Sequence, residues 1–291
     1  MRAILLNKFH SERIFTLKEL SFALGIPADV LQDISLSAEK YYHPFQKVSG
    51  TKIRKIANPS KPLKAIQKQI AEKLLSLVPL PVEICGGRKG MSIRENAKTH
   101  LGQPEVVTID LKDCFPSISF EAVFDLFRND FGYSKEVSGM LTKLTTYRRS
   151  LPQGGVTSGA LVNILLIPLC AQIRTIITGT SKLTVWVDDI TFSGKDVRKY
   201  CQEVVLTVQH FGFRTRSRKV KVMSNNQPQI VTGTVTNKKL SIPKKKIISF
   251  VNDFRNKRSN NESTIGRINY VSFVNPGQGK RLRKRIDASK K

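Results

Sequence analysis

The feature that most constrains this sequence is a pair of adjacent aspartates in an apolar setting. Asp188 and Asp189 stand in the segment Trp-Val-Asp-Asp-Ile-Thr-Phe-Ser, residues 186–193. An isolated Asp-Asp pair is most typical of a solvated turn. Here the β-branched and aromatic neighbours favour strands, so we predict a β-hairpin of residues 183–186 and 190–193 whose tip carries both carboxylates.

A second acidic strand end lies upstream. Residues 105–111, Glu-Val-Val-Thr-Ile-Asp-Leu, form a strand-like run that carries Asp110 near its end. If this strand and the hairpin are neighbours in one antiparallel sheet, three carboxylates converge at one edge. Like charges so close need cations to stay ionised, and carboxylate oxygens suit Mg²⁺. Two such ions about 3.5–4 Å apart would clamp the attacking and leaving oxygens of a phosphoryl displacement, which is the chemistry of a polymerase.

The charge balance favours the same class of protein. The chain has 49 Lys and Arg residues against 22 Asp and Glu, a formal net charge of +27, so the expected partner is a nucleic acid. No apolar run approaches the roughly 20 residues that span a bilayer, so we expect a soluble, unexported protein without membrane contacts. The four scattered cysteines fit neither a zinc pair nor a disulfide framework, and we expect reduced thiols, mostly in the core.

Strand and helix patterns alternate along the chain. Residues 1–47 carry apolar residues at helix-like intervals and are predicted to form a helical N-terminal arm. Residues 51–79 are predicted to be a basic strand and an amphipathic helix, and residues 157–177 a long apolar helix, most of it buried. From about residue 238 the chain is basic and helical. The fold class predicted from this alternation is α+β.

Six segments together resemble the motifs of one enzyme family, the reverse transcriptases. Three follow in the family's order: an Asp strand end with a Phe-Pro-Ser-Ile tail, a Pro-Gln-Gly turn before a Ser- and Asn-containing helix, and the Asp-Asp hairpin, at residues 109–118, 151–163 and 186–193. Three others are similar to bacterial retron reverse transcriptases: an NAxxH element at 96–100, Val-Thr-Gly at 231–233 followed by Asn237, and a basic fingers segment at 53–67. The resemblance covers about residues 50–275.

That resemblance implies a right-hand polymerase fold with an antiparallel palm sheet, fingers and a small helical thumb. The implied domains are a helical N-terminal arm at 1–47, fingers and palm at 48–230 and a basic thumb at 231–291. The implied activity is RNA-directed DNA polymerisation with two Mg²⁺ ions and dNTPs, in the bacterial cytoplasm.

The retron resemblance implies a more specific function. The enzyme would bind a cognate structured non-coding RNA, prime from a 2′-hydroxyl of that RNA, and make single-stranded DNA that stays linked to it (msDNA). An effector protein of a defence operon against phage is the implied protein partner. The alternatives are another bacterial reverse transcriptase, of diversity-generating or abortive-infection type, and a non-catalytic RNA-binding scaffold.

The resemblance also implies the metal site. Asp110, Asp188 and Asp189 correspond to the catalytic residues and metal ligands of the family, and the backbone carbonyl of Leu111 to an extra ligand. Trp186 replaces the usual Tyr of the hairpin, which alters contacts at the primer end and leaves the carboxylates intact.

A nucleotide site is implied as well. The ring of Phe115 would exclude a 2′-hydroxyl by steric clash, and Gly154 would let the backbone approach the nucleotide. Arg54 is the preferred triphosphate ligand because guanidinium binds phosphate oxygens bidentately. The full set assigned to dNTP binding is Arg54, Lys52, Phe115, Gln153 and Gly154.

Other polar residues keep two interpretations. Asp113 either hydrogen-bonds the backbone near the triphosphate or is an ordinary turn residue. Lys219 is either an acid that protonates the leaving pyrophosphate or, as we favour, a contact to nucleic acid. His100 is expected to be structural. The set assigned to nucleic-acid binding, through backbone and duplex shape, is Lys219, Lys280, Arg281, Arg283, Lys284 and Arg285.

Overall fold

The computed structural model describes residues 13–49, 52–216, 220–256 and 258–289. Its helices are α1 Leu17–Leu24, α2 Ala28–Leu36, α3 Lys61–Lys73, α4 Ile93–Thr99, α5 Cys114–Ser117, α6 Phe120–Asp125, α7 Lys135–Thr145, α8 Ser158–Leu165, α9 Ile167–Ile176, α10 Cys201–His210, α11 Lys244–Arg255, α12 Asn261–Val274 and α13 Pro276–Ala288. Its strands are β1 Tyr42–Ser49, β2 Lys52–Pro59, β3 Glu105–Lys112, β4 Lys182–Trp186, β5 Asp189–Gly194, β6 Arg214–Thr215, β7 Lys221–Ser224, β8 Ile230–Val231 and β9 Thr234–Val235.

These elements form two compact units. Unit 1 comprises Met1–Gly87, Leu111–Gln172 and Phe211–Arg214, and unit 2 comprises Arg88–Asp110, Ile173–His210 and Thr215–Lys291. The domain boundaries predicted at residues 48 and 231 do not coincide with the segment ends of these two units, and they stay predictions.

In unit 1, the N-terminal arm is helical over a shorter range than the sequence predicted. Helices α1 and α2 and a 3₁₀ turn at Ala38–Tyr41 form its helical part, whereas Tyr42–Ser49 are strand β1. β1 pairs antiparallel with β2 along its whole length, and Pro44 lacks the N–H that a helix interior requires. The helix expected up to residue 47 was therefore wrong for residues 42–47, and residues 1–12 lie outside the described part.

The basic strand and amphipathic helix predicted within residues 51–79 are confirmed by β2 and α3, which together span residues 52–73, and residue 51 lies outside the described part. α3 begins after Ser60 with a proline in its first turn, where a missing N–H costs no helical hydrogen bond. Its buried positions, Leu63, Ile66, Gln67 and Ile70, follow a helical period. Gln67 is the polar member of this buried stripe, and its hydrogen bonds hold part of the site described below.

Unit 2 contains a five-stranded sheet with the order β4-β5-β3-β6, in which β7 also pairs with β3. β5 runs antiparallel to both β3 and β4. Side chains alternate between the two faces of each strand. One face is apolar and fully buried, and its members are Val107, Ile109, Leu183, Val185, Ile190 and Phe192. The predicted hairpin is confirmed. The opposite face of the sheet carries acidic, hydroxyl and indole side chains, and Asp189 is one of them.

The C-terminal part of unit 2 is a helical module, as predicted. Helices α11, α12 and α13 follow the short β8–β9 hairpin and enclose a cluster of buried apolar side chains: Val231, Leu240, Ile242, Ile247, Val251, Ile268, Val271, Val274, Leu282 and Ile286. Gly279 lets α13 approach α12 closely, because a Cβ there would lie 2.7 Å from the Cα of Ser272. The basic residues of α13 are left on its outer side.

One helical stretch is long and apolar enough to cross a membrane by length and composition. It is Ser158–Ile176, 19 residues that join α8 and α9, and 61% of it is buried inside the protein. The expectation that no apolar run approaches this length was wrong, while the prediction that this helix is mostly buried is confirmed. A buried core helix has the same composition as a membrane span because both are surrounded by apolar groups.

All four cysteines are thiols, as predicted. Cys85, Cys114 and Cys170 are buried, and Cys201 is partly exposed.

Candidate active site

Unit 2 brings two of the predicted carboxylates face to face. Asp110 of β3 is directly opposite Asp189 of β5 in the antiparallel register. Side chains of such opposed residues lie on the same face, with Cβ atoms about 4.5–5.5 Å apart. Asp188 lies in the two-residue turn between β4 and β5, directly before Asp189. The three acidic residues that the sequence singled out therefore lie at one end of the sheet.

The turn that carries Asp188 has an unusual backbone. Val187 adopts the left-handed region with a φ of 58°, which is rare for a β-branched residue. Two-residue hairpin turns need a positive φ in this region to match strand twist, and glycine or asparagine usually supplies it. Such strain costs about 1–3 kcal/mol and is typical of functional sites.

Asp110 and Asp189 line one cavity of 370 Å³ that lies within unit 2. Its floor is the polar face of the sheet, where Thr108 is opposite Thr191. Its other walls come from α4 and from the turn that joins β8 to β9. The full lining is Ile93, Thr108, Asp110, Trp186, Asp189, Thr191, Lys221, Ile230, Thr232 and Gly233. The cavity thus combines carboxylates, hydroxyls and one indole.

Two cations that the sequence analysis did not select accompany the carboxylates. The Nε of Arg216 lies 3.6 Å from Oδ1 of Asp110, and its backbone N–H donates to the Asp110 carbonyl at 3.3 Å. Lys221 is opposite Thr108 across the sheet and lines the cavity. The signal was the basic run at residues 214–221, which was interpreted as a contact to nucleic acid through Lys219. Lys219 itself lies outside the described residues.

The donor chemistry of this edge fits a divalent metal ion. Asp110 and Asp189 present hard carboxylate oxygens from neighbouring strands to one cavity, and such oxygens are what Mg²⁺ and similar ions prefer. Within the described ranges, no group of three or more His, Cys, Asp or Glu side chains is close enough to hold a metal ion. Carboxylates repel one another when no cation lies between them, so these acidic side chains are expected to stay apart in the protein alone.

In unit 1 the Pro-Gln-Gly turn, which carries Gln153 and Gly154, packs against the end of β2. The backbone N–H of Ala57 donates to the carbonyl of Gln153 at 2.8 Å. Gly154 has a φ of 114°, and a Cβ there would lie 2.9 Å from Cγ2 of Ile56. Only glycine fits this contact. Arg54 lies on the same strand with an exposed side chain, as a phosphate ligand requires.

A buried amide that the sequence analysis missed holds this turn. Nε2 of Gln67 donates to the hydroxyl of Tyr42 at 2.7 Å and to the carbonyl of Leu144 at 2.8 Å. Its Oε1 accepts the backbone N–H of Val156 at 2.9 Å. Burial of the phenol raises the pKa of Tyr42 well above its usual value, so its hydroxyl stays protonated. The signal was present, because Gln67 is the polar member of the buried stripe of α3.

The remaining predicted residues are placed individually. Leu111 follows Asp110 in β3 and is buried. Phe115 is half-buried in the short helix α5. Asp113 adopts the left-handed conformation, φ 51°, just before α5, as aspartate in a turn commonly does. Lys52 begins β2.

Five of the six basic residues predicted to bind nucleic acid lie on one helix of unit 2. They are Lys280, Arg281, Arg283, Lys284 and Arg285 of α13, and all five are exposed. Leu282 and Ile286 face the core between them. The helix therefore presents a charged side to solvent.

His100 is a satisfied structural histidine, as expected. Its Nδ1 lies 2.7 Å from the Ser193 hydroxyl and its Nε2 2.8 Å from the Thr184 hydroxyl. The ring is fully buried, and burial lowers the pKa of the imidazole from 6.5 to about 3. The imidazole is therefore neutral, with one nitrogen donating and the other accepting.

Comparison with known proteins gives one consistent family. The model of the family described as reverse transcriptase (RNA-dependent DNA polymerase) matches residues 45–257. The retron Ec86 reverse transcriptase of Escherichia coli is 27% identical over 278 residues, covering 91% of this chain and 87% of that protein. The retron Mx65 reverse transcriptase of Myxococcus xanthus is 28% identical, covering 93% of this chain and 71% of that protein.

The fold has a counterpart among solved structures. A structure of telomerase from Candida albicans in complex with the TWJ fragment of telomeric RNA aligns with a TM-score of 0.50 and 12% identity, covering 74% of this chain and 50% of that chain. At this identity the likeness concerns the fold alone. It agrees with the mixed helices and antiparallel sheet described above and with the predicted right-hand polymerase fold.

Proposed function

This chain belongs to the reverse transcriptase family and is an RNA-directed DNA polymerase, and from that premise we propose that it works as a retron enzyme. It binds a cognate structured RNA, primes from a 2′-hydroxyl of that RNA, and copies part of it into single-stranded DNA that stays linked to the RNA. The relatives that support this proposal are retron reverse transcriptases that align over most of this chain. An effector protein and a role in antiphage defence belong to the same proposal.

The observation that carries the polymerase chemistry is the register that puts Asp110 opposite Asp189, with Asp188 in the adjoining turn. We assign these three aspartates, with the Leu111 carbonyl, to the binding of two Mg²⁺ ions. Metal ions there supply activation of the attacking hydroxyl and stabilisation of charge on the leaving pyrophosphate. Asp110 and Asp189 present their carboxylates to one cavity from opposed strand positions.

The nucleotide site rests on unit 1. Gly154 keeps the turn against β2, and the Gln153 carbonyl accepts a β2 hydrogen bond, so the turn and the strand form one rigid surface. Arg54 and Lys52, on that strand, bind the triphosphate, and Phe115 discriminates against ribonucleotides by clash.

Nucleic acid is held mainly by charge. The exposed basic side of α13 contacts RNA stems or the RNA–DNA hybrid through their phosphates, because A-form duplexes hide base edges from side chains. Binding of this kind weakens steeply with salt, since each neutralised phosphate releases counterions.

The test is to purify the protein with its flanking locus, extract the bound nucleic acid, and digest it separately with RNase and DNase. The expected result is a discrete RNA-linked DNA that vanishes in the double variant Asp188→Asn with Asp189→Asn. Bound RNA without DNA, together with dNTP incorporation on a supplied primer and template, would move the enzyme to another type of bacterial reverse transcriptase. RNA binding with no incorporation by the wild type would make it a scaffold.

A further inference from the structure

Two sequence elements, at residues 96–100 and 231–233, take no part in the chemistry proposed above. Both nevertheless bond to the segments that enclose the cavity of the carboxylates. They belong to α4 and to the β8–β9 turn of unit 2. Neither His100 nor Asn96 lines the cavity. Any effect they have on the reaction must therefore act through other residues.

His100 ties the two strands of the carboxylate hairpin to each other. Thr184 is on β4 and Ser193 is on β5, and the imidazole bonds to both hydroxyls, at 2.8 and 2.7 Å. Both hydroxyls lie on the polar face of the sheet, as do Trp186, two residues beyond Thr184, and Asp189, four residues before Ser193. The ring thus fixes this hairpin to the end of α4.

Asn96 ties the same helix to the opposite wall of the cavity. Its side-chain N–H donates to the Thr232 hydroxyl at 3.3 Å, and that hydroxyl donates to the Ile93 carbonyl at 3.4 Å. Thr232 has a φ of 45°, an uncommon conformation for a β-branched residue, so it needs partners to hold it. Just beyond α4, the N–H of Gly102 donates to the Thr236 carbonyl at 2.9 Å. The turn at Thr232 is thus anchored to α4.

We infer that His100 and Asn96 are positioning residues that act as a brace between the carboxylate hairpin and the Thr232 turn. Through α4 they set the distance across the cavity and hold Asp189 and Trp186 where the reaction needs them. This inference rests on the proposed role of the carboxylates. The imidazole of the brace is buried and uncharged, because burial lowers its pKa, and both of its ring nitrogens are bonded.

A loosened brace affects the rate more than the binding of primer and template. Displacement of reacting groups by about 1 Å can cost about a hundredfold in rate, whereas contacts to phosphates elsewhere on the protein stay intact. We therefore expect His100→Gln to lower the single-turnover rate of dNTP addition by about ten- to a hundredfold. The dissociation constant for primer and template should change by less than about twofold, since the brace touches no phosphate-binding residue.

The chain offers a direct reporter of hairpin position. Trp186 is its single tryptophan, and it lines the cavity beside Asp189. The fluorescence emission of the folded His100→Gln variant should differ from that of the wild type. Thr184→Val, which removes one bond of the brace and keeps side-chain shape, is the second variant in case His100→Gln does not fold.

The other wall is tested by a pair of variants at one position. Thr232→Val should slow dNTP addition, and Thr232→Ser should restore it, because serine keeps the hydroxyl that bonds Asn96 and Ile93. Thr142→Val is the matched control for Thr184→Val: both threonines are buried, and the Thr142 hydroxyl bonds the Ser138 carbonyl at 2.6 Å in α7 of unit 1. It should lower stability with no change in rate or emission.

The possible outcomes distinguish failure of the proposed function from failure of the proposed brace. A wild-type protein that adds no dNTP would refute the proposed function. If the wild type is active and the double aspartate variant is inactive, the brace is tested on its own. It would be overturned by brace variants that melt earlier than the wild type yet keep its rate and its Trp186 emission, as the Thr142→Val control does.

Discussion

Acid should destabilise the folded protein through one buried imidazole, that of His100 in unit 2. Burial lowers the pKa of His100 from 6.5 to about 3 in the folded protein. Below pH 6.5 the unfolded chain therefore takes up a proton at this residue while the folded protein does not, and stability falls with pH until the folded pKa is reached. Above pH 6.5 both states are neutral at His100, and its contribution is constant.

The size of the effect follows from the shift. Each pH unit below 6.5 removes about 1.4 kcal/mol, so the loss at pH 4.5 is about 2.7 kcal/mol. Replacing His100 by Gln removes this proton uptake, whatever else it does to stability. Between pH 7 and 4.5 the wild type should therefore lose about 2.7 kcal/mol more than His100→Gln.

The assay is urea unfolding at both pH values, followed by the emission of Trp186, which lies in the same unit. Comparing two proteins cancels the titration of the carboxylates, which they share. His43→Gln, on the exposed side of β1, is the matched control and should lose as much as the wild type. Equal losses in the wild type and His100→Gln would refute the reasoning.

Three further predictions concern the site and its surroundings. Gly154→Ala should lower the stability by about 1–3 kcal/mol in thermal melts and should also lower the dNTP affinity. The reason is that Gly154 has a φ of 114° and the new methyl group would lie 2.9 Å from β2. Gly159→Ala, which has open space around it, should change neither property. Val187→Gly should raise the melting temperature by the equivalent of about 1 kcal/mol, because it removes a β-branched side chain at a φ of 58°. A lowered melting temperature would show that the backbone at residue 187 is not strained. Arg281→Gln with Lys284→Gln should weaken RNA binding and reduce the slope of log affinity against log salt by roughly 1–2, and an unchanged slope would show that α13 makes no phosphate contact.

Much of the carboxylate site could be predicted from local pattern. The β-branched and aromatic residues around Asp188 and Asp189 predicted a hairpin because such residues favour strands, and the structure confirms that hairpin. The strand carrying Asp110 was predicted by the same reasoning. The failure at residues 42–47 also has a local cause: their helical assignment ignored Pro44 and the strand partner β2.

Residues that act through distant partners were not predictable in this way. In the sequence, Arg216 is one of several basic residues in a basic run. Its contact with Asp110 is visible only in the folded structure. Gln67 looked like an exception in an apolar stripe, and its three hydrogen bonds join segments that lie up to 89 residues away in sequence. Hydrogen bonding of buried polar groups is set by whatever the fold brings near them.

The order of strands and carboxylates, the net charge of +27 and the family motifs were properties of the sequence by itself, because they depend only on neighbouring residues and on composition. The register of Asp110 with Asp189, the counter-charge of Arg216 and the bonds of His100 to two strands were decided only by the tertiary structure. The physical reason is that a strand pattern specifies which face a side chain takes, while its partner across the sheet depends on pairing between distant segments.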